Sequence, residues 1–226
     1  METDSTQKSM KWFEIWRQAF LHPTNETYSR IISDPKTGIK WGLIWEAITI
    51  LVIWIIGPQR DILGAIVMDN FGRETFLYFS VIGAPVAVIL GVLGFVFFTA
   101  IAHGLAKLFK GAGTFPQLIF CWAVTQLPFI LLAGLVLHIP LGFSPSRVFV
   151  FSRIGLIIQI AKILVAFCFI LYLFFAQIVA FSAVERFGIG KSFGIVILSS
   201  IAIGIIGSCL SYGLQAVVMN FLRLQY

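Results

Sequence analysis

Charge is what this sequence has least of. Only 12% of its 226 residues are Asp, Glu, Lys or Arg, while 59% are hydrophobic. A soluble globule must give part of its surface to water, and so little polar material could not cover it. Cysteine is equally sparse. Cys121, Cys168 and Cys209 each lie inside an apolar run, with no CxxC pair and no histidine-rich cluster beside them. They read as small buried side chains, which leaves no metal site and no redox pair. His22, His103 and His138 stand far apart and unaccompanied. Without a Ser/His/Asp set, paired carboxylates or HExxH, no acid/base pair is expected. The chain therefore reads as a non-enzyme, with no catalytic residue, metal or cofactor. Dense basic clusters are missing too. The net charge of +6 is scattered through the loops, which excludes a duplex-binding patch and nucleic acid as a partner. The polar start METDSTQKSM lacks the apolar core of a signal peptide, so none is expected.

What is present is apolar, and it arrives in blocks. A bilayer core takes roughly 20 apolar residues of helix, and strict alternation, the mark of a membrane barrel, is absent. The blocks predict an all-α integral membrane protein with five spans at about 41–57, 76–102, 116–139, 154–184 and 192–222. Residues 41–226 would form the transmembrane domain, and residues 1–40 a region on one side of it. Side one carries Lys8, Lys11, Arg17, Arg30, Lys36, Lys40, Lys107, Lys110, Arg186 and Lys191. Side two carries Arg60, Arg73, Arg147, Arg153 and Arg223. The positive-inside rule places the N-terminus in the cytoplasm and the C-terminus outside.

Residues 1–40 have structure of their own. At about 10–21, Trp12, Phe13, Trp16 and Phe20 share one helical face, with Ile15 and Ala19, while Glu14, Arg17 and Gln18 take the other. The pattern predicts an amphipathic helix lying in the headgroup region, with Lys11 and Arg17 near anionic lipids. His22–Pro23 ends it, and a second short helix follows at about 25–33, stopped by Asp34–Pro35.

Two loops look like phosphate sites. One is KGAGT at 110–114 and the other GIGKS at 188–192. A nucleotide-binding loop needs another glycine five residues before that of its GK pair, and a strand ahead of it. Here Glu185 holds that place and an apolar run precedes it. Both loops are better read as turns. Lys107 and Lys110 hold a helix end at the headgroups, and Gly111 and Gly113 permit the angles of a tight reversal. Thr114 caps the next helix, with Pro116 in its first turn.

Within the spans, Glu46 and Lys162 are the ionisable residues. Thr125, Gln126, Gln177, Ser199 and Ser200 are deep and uncharged, and Pro85 and Pro128 can kink their helices. Hydrogen bonding between helices explains them most simply. A polar crevice reaching Gln126 and Gln177 is the functional alternative. Small-residue stripes at Gly83, Ala87 and Gly91, and at Ser200, Gly204 and Ser208, suit close helix packing within the bundle or between copies.

These pieces follow a known order. FEIWRQAFLHPTNETYSRIISDP leads into the first span, AxxHGLAKLFKGAGTFPQLI closes the second, and WAVTQLPFILLAGLVLHIP carries the third. The sequence resembles the Ypt/Rab-interacting membrane-protein (Yip) family in its prokaryotic form. Gly111, Gly113 and Phe115 fit the family's glycine-then-phenylalanine turn, Pro128 fits the proline of the following span, and Ser192–Phe193 resembles the start of the last one. The resemblance implies five spans behind a cytoplasmic N-terminal region, in the cytoplasmic membrane of a prokaryote or an internal membrane. Eukaryotic members are linked to Rab-type small GTPases, vesicle budding and membrane shaping through that region. Here it is short and largely interfacial helix, which argues against a small GTPase partner. The expected role is to organise or shape membrane, or to recruit partners: membrane lipids, a second copy of the chain, or another membrane protein. A transporter or lipid-moving protein, and an accessory subunit of a larger complex, are the alternatives.

Overall fold

The computed structural model describes residues 9–56, 59–138 and 153–223, with side chains described at 9–55, 83–132, 160–161, 164–206 and 208. Arg60, Arg73, Arg147, Arg153 and Arg223, the cations expected on side two, lie outside the described side chains, as do His138, Lys162 and Cys209.

Among the described residues every regular element is a helix. The first two are short. Helix α1 spans Trp12–Leu21 and stops before Pro23, where the preceding residue is driven out of helical geometry. Helix α2 spans Asn25–Ile32, and its N-cap Thr24 accepts from the Thr27 N–H at 3.2 Å. The buried carboxylate of Asp34 then accepts from the backbone N–H of Met10 at 2.7 Å and of Lys36 at 2.8 Å. One side chain thus ties the entry of α1 to the turn that leaves α2.

Five longer helices follow: α3 (Ile39–Ile56), α4 (Gln59–Leu108), α5 (Phe115–His138), α6 (Arg153–Glu185) and α7 (Ile189–Arg223). Helix α4 corrects the sequence reading, which placed a connection ahead of residue 76. Its 50 residues run about 75 Å at 1.5 Å each. No proline falls between Gln59 and Ala84, and Ile62, Ile66, Leu63, Val67 and Phe71 recur at four-residue spacing, so nothing stops the helix there. Pro85 and Pro128 both sit inside helices that continue through them.

Helix α5 is the centre of the bundle, packed by α1, α3, α4 and α6, while α4 also meets α3 and α7. Close approach at glycine draws α3 in from both sides. A Cβ on Gly42 would lie 2.5 Å from Ile119 of α5. On Gly83 and Gly91 of α4 it would lie 2.8 Å from Trp54 and 2.6 Å from Ile50 of α3. The first small-residue stripe is therefore internal packing. The second differs: Gly204 has open space around it, and Ser200 and Ser208 are exposed.

Among the described residues, four helical segments are long and apolar enough to cross a membrane: Gly83–Leu108, Phe115–Leu132, Leu164–Glu185 and Ile189–Ile206. Their outer faces are bare of polar cover. Ile89, Leu90 and Leu93 of α4, Phe167 and Ile170 of α6, and Ile201 and Ile205 of α7 are each more than half exposed. Contiguous apolar surface of that kind has lipid tails as its solvent. The protein is an integral, multi-pass membrane protein.

Candidate functional site

The two glycine-bearing loops meet at one end of the bundle. Each begins with the same device. Helices α4 and α6 end on a cation in the left-handed region, Lys110 at φ 64° and Arg186 at φ 57°. The next N–H then turns back to the carbonyl five residues earlier, Gly111 to Ala106 at 2.8 Å and Phe187 to Ser182 at 3.1 Å. This closure satisfies carbonyls that a helix end leaves without partners. A left-handed residue with a Cβ costs about 1–2 kcal/mol, so contacts beyond each turn must hold it.

Those contacts centre on Glu185, the last residue of α6, whose side chain is fully buried. Its Oε1 lies 2.7 Å from His103 Nδ1 of α4. Its Oε2 accepts from the Gly113 N–H at 3.0 Å, and its backbone carbonyl accepts from the Ala112 N–H at 3.2 Å. Lys107, one turn beyond His103, serves the other edge of the same loop. Its ammonium donates to the carbonyls of Gly111 at 3.0 Å and Gly113 at 2.7 Å. Glu185 takes the loop's N–H groups, that of Gly113 on its carboxylate and that of Ala112 on its backbone carbonyl, and the ammonium takes its C=O groups, so a short stretch of backbone is satisfied from both sides.

This geometry corrects the reading of the glycines. Neither Gly111 nor Gly113 adopts positive φ; the left-handed positions are Lys110 and Arg186. The glycines are needed for room. A Cβ at Gly111 would lie 2.4 Å from Glu185 Oε2 and 3.0 Å from the Ala106 carbonyl oxygen. At Gly113 it would lie 2.6 Å from both Val184 Cγ1 and the Val184 carbonyl oxygen. His103 is corrected as well: it is paired with a carboxylate, across 82 residues of sequence. Lys107, exposed at the helix end, is bound to the loop carbonyls of Gly111 and Gly113. The second loop shares the helix-ending turn but not the tight fit, since Gly188 and Gly190 have open space.

A family model described as Yip1 domain matches residues 17–211. The chain belongs to the Yip1-domain family. No curated protein and no solved structure matches it. The matched range opens within α1, closes within α7, and contains the whole junction of His103, Lys107, Gly111, Gly113 and Glu185.

In this Yip1 domain, Thr114 stands at the N-cap of α5. Its carbonyl accepts from the Leu118 N–H at 3.1 Å, and its N–H donates to Gln117 Oε1 at 3.0 Å. Phe115 packs near the His103 ring, with centroids 5.9 Å apart. Between α2, this turn and the end of α6 lies a cleft of about 390 Å³, bordered by Ser29, Thr114, Gln117 and Arg186.

The aromatic residues of α1 have protein partners. Trp12 meets Trp41, Trp45 and Phe120, with centroids 5.0, 5.1 and 6.2 Å away. Trp16 meets Trp45 edge-on at 4.6 Å, and Phe20 meets Phe129 at 4.7 Å. Ile15 and Ala19 are buried, whereas Phe13 is 73% exposed, and Lys11 and Arg17 point outward. Helix α2 reaches further in. The buried Tyr28 hydroxyl lies 3.1 Å from Thr125 Oγ1 in the middle of α5 and donates to the Ala19 carbonyl at 3.4 Å. Burial pushes that phenol well above its ordinary range, only partly offset by the Thr125 bond, so it is neutral at physiological pH.

Thr125 is thus closed off by Tyr28 and by the Cys121 carbonyl at 2.6 Å. Gln126 and Gln177 are both half-buried, and the Gln177 carbonyl accepts from Trp122 Nε1 at 3.1 Å. Neither borders the cleft beside the junction. Glu46 is buried in α3, and its Oε2 has no hydrogen-bond partner among the described residues. Sequence reasoning missed Glu185 as an organiser. The available signal was a carboxylate at the very end of a long apolar run, with no basic residue in the preceding turns of its own helix to pair with.

Proposed function

We propose that this Yip1-domain protein is a non-enzymatic organiser of membrane, of the prokaryotic type, which shapes the bilayer or recruits partners through one face. That face carries α1, α2 and both glycine-bearing loops. The N-terminus lies on the cytoplasmic side, five spans cross the bilayer, and the C-terminus lies outside. The excess of cations on side one supports this orientation. Helix α3, at 18 residues, is about 27 Å long and supplies the further span.

The observation that carries the reading is the docking of α1 and α2 onto α5 and α6, locked at Tyr28–Thr125. It turns an otherwise detachable N-terminal segment into a fixed part of the bundle, beside the junction. A rigid, wide cytoplasmic end above a lipid-exposed bundle suits a protein that acts by occupying and organising membrane. The partners it would meet there are membrane lipids, a second copy of the chain or another membrane protein.

Reconstitution tests this. Liposomes carrying the protein at increasing density should change in diameter and shape by electron microscopy, with no solute flux and no lipid scrambling. A variant lacking residues 1–33 should not remodel them. Scrambling or flux above protein-free liposomes would favour the transport reading instead.

A further inference from the structure

The cleft beside the junction has the chemistry of an anion site. Arg186 borders it at the end of α6, exposed and without an ion-pair partner among the described residues. Ser29 of α2 and Thr114 and Gln117 at the start of α5 supply hydroxyl and amide groups around the rim. Ile32, Ala183 and Val184 supply apolar wall. The carboxylate nearest in sequence is Glu185, and it is turned inward, held by His103 and Gly113. Among the described residues no acidic side chain borders the cleft. The turn that buries Glu185 is the same turn that sets Arg186 in the left-handed region at φ 57°, so one backbone feature turns the carboxylate inward onto His103 and Gly113 and leaves the guanidinium exposed.

We propose that this cleft binds a phosphate ester of a glycerol-sized group, with Arg186 pairing the phosphate, the Ser29 and Thr114 hydroxyls donating to its oxygens, and the glycerol carbons against Ile32, Ala183 and Val184. A guanidinium matches two phosphate oxygens at once. About 390 Å³ lies within the range of small-ligand sites. The ester has two sources, an anionic phospholipid headgroup or a soluble glycerophosphate, and both present the same atoms to the cleft. The site goes beyond the organising role above: it stands on the cleft's own residues, whichever way the chain is oriented in the membrane.

The test uses the full-length protein in mild detergent. Phosphatidylglycerol and phosphatidylcholine are offered in equal amounts and retained lipid is counted by native mass spectrometry. Glycerol 3-phosphate is titrated separately by calorimetry. Lys110→Gln is the matched control, since Lys110 is also an exposed left-handed cation at a helix end but does not border the cleft. Wild type and K110Q should prefer phosphatidylglycerol, and R186Q should lose about tenfold in that preference, as expected for a charge-assisted bond. The variant S29A, which leaves both the end of α6 and the Gln117 bond to the Thr114 N–H untouched, should weaken it in the same direction. Arg186-dependent binding of glycerol 3-phosphate without phosphatidylglycerol retention assigns the site to the soluble source. If R186Q and S29A match K110Q with both probes, the proposal is overturned.

Discussion

At the scale of single residues, the junction depends on one carboxylate and two missing Cβ atoms. Placing a methyl at Gly113 forces it into the Val184 backbone, which cannot swing away as a side-chain tip could. Gly113→Ala should therefore cost about 1–3 kcal/mol, the usual range for overpacking, read as a lower melting temperature in detergent. Gly188→Ala, with open space around it, should leave the melting temperature nearly unchanged. His103 and Glu185 should be coupled. In a cycle of His103→Ala and Glu185→Gln the two losses should fall short of additive by about 2 kcal/mol, within the range for residues in direct contact. Additive losses would mean that the 2.7 Å contact holds nothing together. These roles were hidden in the sequence for a physical reason. The glycines announced a turn, and turns are where glycine is expected for its angles. Here the angle is carried by Lys110 and the glycine makes room for a carboxylate from another helix, which no local pattern encodes.

At the scale of elements, local patterns were legible. The ends of α1 and α2 follow from His22–Pro23, Thr24 and Asp34–Pro35, and α5, α6 and α7 begin and end within a few residues of the apolar runs that predicted them. The start of α4 was not legible, because its first turns are amphipathic enough to stay helical yet too polar to register as a span. Nor was the face α1 presents. An aromatic stripe suits lipid and protein equally by period alone, and its packing on Trp45, Phe120 and Phe129 appears only once α3 and α5 are in place. The docking should be measurable. Tyr28→Phe removes the hydroxyl bonded to Thr125 and Ala19 and should cost about 1–2 kcal/mol, as Thr125 keeps only its bond to the Cys121 carbonyl and the Ala19 carbonyl loses its donor. Trp16→Ala should cost about 2–4 kcal/mol, somewhat below a full core truncation. Both should speed protease cleavage between α1 and α2, with little effect if the segment lies free on lipid.

At the scale of the whole molecule, composition alone named the solvent. So few charges in blocks of such length leave lipid as the only medium that fits, and the exposed Leu, Ile and Phe of α4, α6 and α7 agree. Where the chain crosses, and how often, is the claim on which the cytoplasmic-face account rests. It is tested most directly by cysteine labelling in intact and permeabilised cells. The background is a variant with Cys121, Cys168 and Cys209 replaced by alanine. Single cysteines are then introduced as Phe13→Cys, Lys110→Cys, Lys191→Cys and Gln225→Cys. A membrane-impermeant maleimide should reach the first three only after permeabilisation, and the fourth in intact cells, as five spans require. Labelling of position 225 from the same side as positions 13, 110 and 191 would mean an even number of crossings and would contradict the account.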